Sequence, residues 1–461
     1  FGVTAASLAA CETPVNKAIP YVIKDDKSNP GVPNYFASHY FDGHDYAEIV
    51  VKTREGRPIK IDGNKKSPLT KGAINARINS SVLSLYDEKR YRKPQIQGEE
   101  VSWDSFDMDV KAVLKSTLNK GGSIRILTNS INSPSTLKLI NDFIAEHENA
   151  DIQHINYDPV SCSAMLEANK ESFGKATLPA YHLHKAKSIV SIGADFLSAF
   201  PSSLELTNQY AEGRNPEKGW MSKHFQFESK LSLTGTNADL RVPIKPSEKG
   251  IVALSLYNYI AAKTGGSSLP KAKNNPYDQK IKQAGDHLLA NKGASLVLTD
   301  SNQKEMQLLV NGINHLLGNY GKTVDINQST NLKKGLDHEV QQLVNEMKKG
   351  SVDLLLVSGV NPVYSLPQSF GFAEAMDKVE QTIVFAERPN ETSKKAKYLA
   401  AANHYLESWD DANPRQDHYA ISQPTINRLF DTRQLQECLL NWTDSEKSYY
   451  HYLRENWENT L

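Results

Sequence analysis

The feature that most constrains the fold is a repeated order of short apolar strand, polar loop and amphipathic helix between residues 123 and 386. Seven segments in this region are short, largely apolar and rich in β-branched residues: SIRILT (123–128), DIQHIN (151–156), SIVSIG (188–193), HFQFES (224–229), ASLVLT (294–299), DLLLVS (353–358) and QTIVFA (381–386). Strands of this kind are typical of parallel sheets covered by helices on both faces. The alternation therefore predicts an α/β fold of doubly wound parallel sheets with right-handed crossovers.

The segments before residue 123 predict a hairpin and a helix, and together with the strand–helix region they suggest five parts of the chain. DYAEIVVKTREGRPIKIDGN alternates apolar and polar residues on both sides of REG, which predicts a β-hairpin from Tyr46 to Ile61. SWDSFDMDVKAVLKSTLN predicts an amphipathic helix with Asp104 as its N-cap. We expect an irregular N-terminal arm (1–44), a hairpin and loop region (45–110), a first α/β domain (111–270), a second α/β domain (271–400) and an irregular C-terminal extension (401–461). Four prolines interrupt the arm, at positions 14, 20, 30 and 33.

Charge and cysteine content exclude several classes of protein. Lys plus Arg and Asp plus Glu both number 53, so the chain has no general attraction to nucleic acid or to an anionic membrane surface. Three cysteines in 461 residues exclude a disulfide framework. The opening FGVTAASLAAC is apolar and built of small residues, which is typical of the end of an export signal and makes Cys11 a lipidation candidate. The alternative for this stretch is a short buried helix.

Ligands of open parallel sheets bind beyond the carboxyl ends of the strands. The loops at those positions include TNSINSPS, NYDPVSC, SIGADFLSAFP, SGVNPVYSLP and AERPNET, and they are rich in Ser, Thr, Asn and Gly. Such loops suit phosphate binding at helix N-termini, but helix capping requires the same residues. No GxGxxG follows the first strand and no GxxxxGK[ST] occurs, which argues against a simple dinucleotide site or P-loop.

Candidates for metal binding and catalysis are few. His182 and His184 stand two residues apart, either as two metal ligands without an evident third or as a surface pair. The segment HYLESWDD contains four possible ligands, without the HExxH spacing of a zinc protease: His404, Glu407, Asp410 and Asp411. Cys162 follows a strand, where a nucleophile or metal ligand would stand, although a lone cysteine is more often a small buried apolar residue. No nucleophile–base pair is evident, so we predict no catalytic residue.

Several ordered motifs together resemble one superfamily, the molybdopterin oxidoreductases. These are EGRPIKIDGN, SPLTKGAINAR, LYDEKR, SIGADFLSAFP, ADLRVPIKPSE, SGVNPVYSLP and ERPNETSKKAKYLAAANHYLESWDD. LAACETPVNKAIPYV, NADLRVPIKPS, ANHYLESW and QPTINRLFDTRQLQECLLNW resemble one branch in particular, the B subunit of alternative complex III. That branch belongs to a bacterial membrane complex that oxidises quinol. The resemblance runs from Phe1 to about Trp442.

The resemblance bears on two metal sites. In active members, a cysteine in the loop after the hairpin is the last of four ligands to an iron–sulfur cluster, and Asn75 stands at that position here. The preceding arm, 12–44, contains no cysteine, so we expect no iron–sulfur cluster in this segment. Cys162 falls where many active members place the molybdenum ligand. IKPSEKG replaces the phosphate-holding turn of those members, with Glu248 facing the phosphates and Lys249 able to offset it.

The resemblance thus implies a non-catalytic scaffold of the molybdopterin oxidoreductase type, without metal or cofactor in this segment. Iron–sulfur clusters are expected in the remainder of the subunit. The implied partners are a cluster-bearing half, haem c subunits and quinol-binding membrane subunits of a respiratory electron transport complex, with no nucleic acid. The implied location is the periplasmic side of the bacterial inner membrane, as a peripheral component. The alternative is an active molybdopterin enzyme with Cys162 as the molybdenum ligand.

Overall fold

The computed structural model describes residues 31–147, 150–272 and 274–460. The strands are β1 (Asn34–Phe41), β2 (Tyr46–Arg54), β3 (Arg57–Gly63), β4 (Gln95–Ile96), β5 (Glu99–Glu100), β6 (Ser123–Thr128), β7 (Asp151–Asn156), β8 (Leu178–Tyr181), β9 (Ser188–Ile192), β10 (Lys223–Glu228), β11 (Leu240–Pro243), β12 (Ser295–Thr299), β13 (Val324–Thr330), β14 (Leu354–Ser358), β15 (Gln381–Ala386), β16 (Tyr398–Ala401), β17 (Asp410–Arg415) and β18 (His418–Ser422). The helices are α1 (Ala76–Ser80), α2 (Val82–Leu85), α3 (Trp103–Asn119), α4 (Pro134–Ala145), α5 (Ser163–Phe173), α6 (Ser203–Gly213), α7 (Leu233–Thr236), α8 (Lys249–Thr264), α9 (Asp278–Ala290), α10 (Lys304–Leu316), α11 (Asp337–Lys348), α12 (Pro362–Ser365), α13 (Phe372–Met376), α14 (Leu435–Trp442) and α15 (Tyr449–Thr460).

The predicted hairpin is present as β2 and β3, which pair antiparallel around the turn at Glu55 and Gly56. Both turn residues have positive φ, as a tight two-residue hairpin turn requires. The prediction that the arm before the hairpin is irregular was wrong for residues 34–41. These residues form β1, which pairs antiparallel with β2 along its whole length and makes a three-stranded sheet. Its aromatic residues favour a strand that follows the last proline of the arm.

The largest sheet has seven strands in the order β5-β4-β16-β15-β14-β6-β7. Its five longer strands, β16 to β7 in that order, are all parallel. Helices α3, α4, α14 and α15 pack on one face of this sheet, and α11 and α13 pack on the other. This is the doubly wound parallel arrangement that the strand–helix alternation predicted.

A second parallel sheet has the order β11-β10-β9-β12. Helices α8, α9 and α10 cover one face of it, while α5 and α6 cover the other. All seven strands predicted from the apolar segments thus occur in the two parallel sheets. Segments 111–270 and 271–400 each contribute strands to both sheets, so the domain limits at these positions stay a prediction.

The prediction of an irregular extension after residue 400 was wrong. Residues 410–422 form the hairpin β17–β18, which joins β13 and β8 in a four-stranded sheet. The helices α14 and α15 follow and pack in the core of the large sheet. DDANPR has low intrinsic strand propensity, so pairing with neighbouring strands stabilises this hairpin more than local preference does.

Ser102 caps helix α3 by accepting the N–H of Ser105, and the predicted N-cap, Asp104, lies in the first turn instead. None of the helices in the described part of the chain combines the length and the hydropathy that spanning a bilayer requires. The lipidation candidate Cys11 lies outside the described residues.

Candidate functional site

A cavity of about 520 Å³ lies at the carboxyl ends of β6, β14, β15 and β16 in the large sheet. Its wall is made by the loops that follow these strands, with contributions from β1 and from the start of α14. Amide and hydroxyl side chains dominate the wall: Thr128, Asn129, Ser130, Asn132, Ser133, Thr136, Ser358, Asn361, Asn390, Asn403, Ser408, Ser422, Gln434 and Gln436. The position is the one at which open parallel sheets bind ligands.

Several polar atoms of this wall are buried without a hydrogen-bond partner in the described part of the chain. Both amide atoms of Asn403 are unpartnered, and so are Asn132 Nδ2 and His39 Nδ1. The side chains are well buried, since the residues are exposed by 8%, 5% and 6%, respectively. Buried polar groups in native proteins are nearly always satisfied by protein, water or ligand. These four atoms are both unpartnered and shielded from solvent, so the described part of the chain does not offset the cost of their desolvation.

Two acidic side chains of the cavity wall have strongly raised pKa values. Burial raises the pKa of Asp410 to about 7, and the neighbouring Asp411 carboxylate adds to the rise. Burial also raises the pKa of Glu387 to about 7, against the opposing charges of Arg90 and Arg388. Both carboxyl groups are consequently partly protonated near neutral pH, when each can donate as well as accept a hydrogen bond.

An internal carboxylate occupies the N-terminus of helix α4, directly after β6. Asp411 is fully buried there, and its Oδ1 accepts hydrogen bonds from the hydroxyl of Ser133 and the backbone N–H of Ser135 at 3.3 Å. Its Oδ2 accepts the Ser135 hydroxyl at 2.5 Å and Trp457 Nε1 at 2.9 Å. Helix N-termini at strand ends are the usual phosphate sites of α/β proteins. In this chain Asp411 supplies the anion for that position.

Cys162 lies at the N-cap position of α5, after β7. It is half-buried and packs at the edge of the apolar cluster that includes Met165, Ala194 and Phe196. The Cys162 thiol is absent from the wall of the cavity. Burial raises the pKa of the thiol to about 12, although nearby Lys333 opposes the rise. In the metal-free chain the thiol is therefore in its protonated form at neutral pH.

The loop at the predicted cluster-ligand position is held by Asn75. Its Oδ1 accepts the Ile78 N–H at 3.0 Å and caps helix α1, while its Nδ2 donates to Asp45 Oδ2 at 2.8 Å. Arg77 Nε donates to the same Asp45 oxygen at 2.7 Å, and the Asp45 side chain is 2% exposed. The carboxamide thus both accepts and donates here. A cysteine thiolate at this position could accept but could not donate to Asp45.

The turn IKPSEKG closes on itself beside the second parallel sheet. The Glu248 carboxylate accepts the hydroxyl of Tyr277 at 2.5 Å. Lys249 Nζ binds Asp300 Oδ1 at 2.7 Å, and this ion pair lies against Gly193 at the end of β9. A Cβ at Gly193 would lie within 2.5 Å of both charged groups. Both residues of the turn are therefore engaged by the chain's own side chains, and neither lines the large cavity.

The other predicted metal candidates do not form a cluster. The rings of His182 and His184 meet edge to face with centroids 5.7 Å apart, and burial lowers the pKa of His182 to about 4. Glu407 forms a fully buried ion pair with Arg90, at 2.7 Å between Oε2 and Nη2. Within the described residues, no three or more His, Cys, Asp or Glu side chains are grouped to hold a metal ion. His404, Asp410 and Asp411 instead bind hydroxyl and backbone groups.

Sequence reasoning did not single out the residues that define the cavity. Asn132 and Glu387 belong to strand-end loops that were recognised as possible ligand loops, but nothing distinguished them from capping residues. Asn403 follows β16, a strand that the apolar pattern did not reveal, and His39 lies on β1, in the arm that was expected to be irregular. The roles of all four depend on burial, which local sequence does not specify.

Comparisons with known proteins found one curated protein with a similar sequence and solved structures with a similar fold. No family model matches the chain. One curated relative is the molybdopterin-binding-like subunit of menaquinone reductase from Nitratidesulfovibrio vulgaris, which is 23% identical over 439 residues. The alignment covers 85% of this chain and 62% of that protein, so the chain spans less than two thirds of its relative.

Among solved structures, acetylene hydratase from Pelobacter acetylenicus matches with a TM-score of 0.67 at 11% identity. The match covers 89% of this chain and 69% of the hydratase chain. At that identity the likeness concerns the fold alone. The chain therefore has the fold of the molybdopterin oxidoreductase superfamily and is a distant relative of the molybdopterin-binding-like subunit of menaquinone reductase.

Proposed function

We propose that this chain is a non-catalytic scaffold of the molybdopterin oxidoreductase type within a quinone-linked respiratory complex. The observation that carries the proposal is the Asp411 carboxylate at the N-terminus of α4, because it fills a phosphate position with a side chain of the protein. A molybdopterin dinucleotide brings phosphate groups that would compete with this buried charge. Like charges at one helix N-terminus repel each other, and displacement of Asp411 would leave a buried carboxylate unpaired.

The remaining residues fit a molybdopterin cofactor poorly as well. Cys162 packs against apolar side chains and does not line the cavity. Lys249, a cation of the expected phosphate turn, is paired with Asp300. Neither the expected metal ligand Cys162 nor Lys249 of the expected phosphate turn lines the cavity, so we derive no chemical step through this cofactor.

The identity of the complex is proposed from the relatives. The menaquinone reductase subunit links this fold to a quinone-dependent complex, and the motifs of residues 402–442 resemble the B subunit of alternative complex III more specifically. In this proposal the chain keeps an iron–sulfur half, haem c subunits and quinol-binding membrane subunits in fixed positions relative to one another. It lies on the periplasmic side of the bacterial inner membrane.

The competing function is an active molybdenum enzyme with Cys162 as the metal ligand. It rests on the position of Cys162 after β7, at the start of α5. Replacement of a metal-ligating thiolate by serine would change the donor atom at the metal and lower turnover. Replacement of a buried structural thiol would cost stability alone, about 1–3 kcal/mol for an unpaired hydroxyl.

The test is quinol oxidation by the purified membrane complex that carries Cys162→Ser, normalised to the amount of assembled complex. Cys438→Ser is the matched control, because Cys438 is a fully buried cysteine of α14 far along the chain. We expect both variants to retain the parent's turnover per assembled complex. A loss of turnover in Cys162→Ser alone, with intact assembly, would favour the molybdenum enzyme.

A further inference from the structure

We propose that the hairpin end of the three-stranded sheet binds the anionic headgroups of a lipid bilayer. We call this surface the basic tip, and it consists of four cations, Lys52, Arg54, Arg57 and Lys60, with four neighbouring apolar or aromatic residues, Tyr35, Ile59, Leu83 and Tyr86. The inference goes beyond the scaffold role, because holding subunits in place does not require this chain to contact lipid. It rests on the proposed function only for the location beside a membrane.

The first argument is that like charges face each other across the strands of the basic tip. In the antiparallel pairing of β2 with β3, Lys52 lies opposite Lys60. Arg54 lies opposite Arg57 in the same way, on either side of the hairpin turn. Like charges at directly opposite positions destabilise a sheet. Asp62 offsets one of these charges, at 2.8 Å from Lys60 Nζ, while the other three cations form no ion pair within the described residues. An anionic surface would relieve the remaining repulsion.

The second argument concerns the uneven distribution of charge along a chain that is neutral as a whole. Between residues 51 and 93, Lys and Arg number twelve, while Asp and Glu number four. The rest of the chain therefore carries an excess of negative charge. Arg90 of this segment is buried and paired with Glu407, whereas Arg54, Arg57 and Lys60 are exposed. The exposed positive charge is thus concentrated on one small part of the fold, where an anionic surface would be attracted locally.

The third argument is the presence of exposed apolar and aromatic side chains beside these cations. Leu83 of α2 is 69% exposed, Ile59 of β3 is 48% exposed and Tyr35 of β1 is 60% exposed. The hydroxyl of Tyr86 donates to the Pro58 carbonyl at 2.8 Å, which fixes its exposed ring beside β3. Tyrosines and aliphatic side chains next to Lys and Arg are typical of surfaces that lie in the headgroup region of a bilayer.

An acidic protein surface is the other partner that would suit this charge, but the composition of the basic tip argues against it. Lysine is depleted in protein–protein interfaces, where arginine and large apolar residues form a packed centre. In the basic tip, by contrast, lysines and apolar residues are interspersed, and Ile59 stands next to Lys60 in β3. Lysine side chains can keep their ammonium groups among lipid headgroups while their apolar stems lie deeper. A bilayer surface therefore accommodates this mixture better.

The experiment is vesicle flotation of the full chain, expressed without export so that Cys11 carries no lipid. Vesicles of phosphatidylcholine alone are compared with vesicles of equal parts phosphatidylcholine and phosphatidylglycerol. We expect the parent to bind the anionic vesicles at least tenfold more tightly than the neutral ones. Added salt should weaken the binding, because it screens charges at a surface. The assay requires neither quinol nor the other subunits, so its failure would leave the scaffold proposal standing.

Arg54→Gln/Arg57→Gln tests the charges of the basic tip. Each cation near an anionic bilayer strengthens binding about fivefold, so the loss of two should weaken it at least tenfold. The control is Lys280→Gln/Lys282→Gln, which removes two exposed cations of α9 and should change binding less than threefold. The hairpin variant should unfold at the parent's temperature or above it, since it removes a pair of facing like charges.

Leu83→Ser tests the apolar contact. It should weaken binding to the anionic vesicles at least threefold, whereas Leu231→Ser, at a similarly exposed leucine after β10, should not. The proposal is overturned if the parent does not bind anionic vesicles, or if Arg54→Gln/Arg57→Gln binds them as tightly as the parent. Dissociation of the purified complex in the hairpin variant, with vesicle binding unchanged, would also overturn it and would assign the basic tip to an acidic protein partner.

Discussion

Replacement of Asp411 by alanine tests the anion position most sharply. The substitution removes a fully buried carboxylate that accepts four hydrogen bonds, from the hydroxyls of Ser133 and Ser135, the Ser135 N–H and Trp457 Nε1. It therefore leaves the N-terminus of α4 without an anion and removes the partner that Trp457 of α15 has at this terminus.

The expected cost follows from these contacts. A hydrogen bond to a charged group contributes about 1.5–3 kcal/mol, but four bonds to one carboxylate are not additive. Part of their sum is also offset by the desolvation of the carboxylate itself. Removing one partner of a buried charged network typically costs about 3–5 kcal/mol, which is the loss we expect for Asp411→Ala. Asp411→Asn keeps one acceptor and the shape of the side chain, so we expect a smaller loss of about 1–3 kcal/mol.

The assay is urea unfolding of the parent and both variants, in chloride and in phosphate buffer at equal ionic strength. In Asp411→Ala, phosphate should enter the vacated anion position and raise the free energy of unfolding, by about 1.4 kcal/mol at a concentration ten times its dissociation constant. The parent should not respond in this way, because its own carboxylate occupies the position. Equal stability of alanine variant and parent, or an equal response of both to phosphate, would refute the assignment of Asp411.

Three further predictions concern single residues. The raised pKa of Asp410 means that the folded chain binds a proton more tightly than the unfolded chain, so stability falls as pH rises from about 4 to about 7. Asp410→Asn should therefore gain stability over the parent at pH 8 but not at pH 4, as measured by unfolding at both values; a pH-independent difference would contradict this. Asn75→Ala should lose about 1–2 kcal/mol through its helix cap, whereas Asn75→Asp, which would place a carboxylate beside Asp45, should lose at least as much in the same unfolding assay. The raised pKa of Cys162 should make its alkylation by iodoacetamide at pH 7.5 at least tenfold slower in the native chain than in urea, by mass spectrometry; equal rates would indicate a reactive thiolate.

Much of the architecture was predictable because several strands of the two parallel sheets are short apolar runs. The compositions of SIRILT and DLLLVS, for example, predict buried strands. Both segments form inner strands of the seven-stranded sheet. Their partnership was not predictable. β6 pairs with β14, more than two hundred residues further along the chain, and no local signal specifies such a pairing. The hairpin at 410–422 escaped notice because its stability comes from its neighbours and not from strand-forming residues.

The candidate site was predictable by position and not by role. The resemblance put Asn75 and Cys162 at the positions of family ligands, and in the structure Asn75 caps helix α1 while Cys162 packs against an apolar cluster. Asp411 was noted as a possible metal ligand, but its function depends on the serines of α4, which lie 276 and 278 residues away. The unpartnered state of Asn403 is likewise a property of the packed molecule.

The central claim is that this chain uses the molybdopterin oxidoreductase fold as a scaffold without the cofactor. The most direct measurement is the molybdenum and tungsten content of the intact membrane complex, purified through a tag on this chain and analysed by inductively coupled plasma mass spectrometry. Released pterin is assayed by fluorescence on the same sample. The account predicts less than about one tenth of an atom of either metal per chain and no pterin in a complex that oxidises quinol. Metal and pterin near one per chain would contradict it.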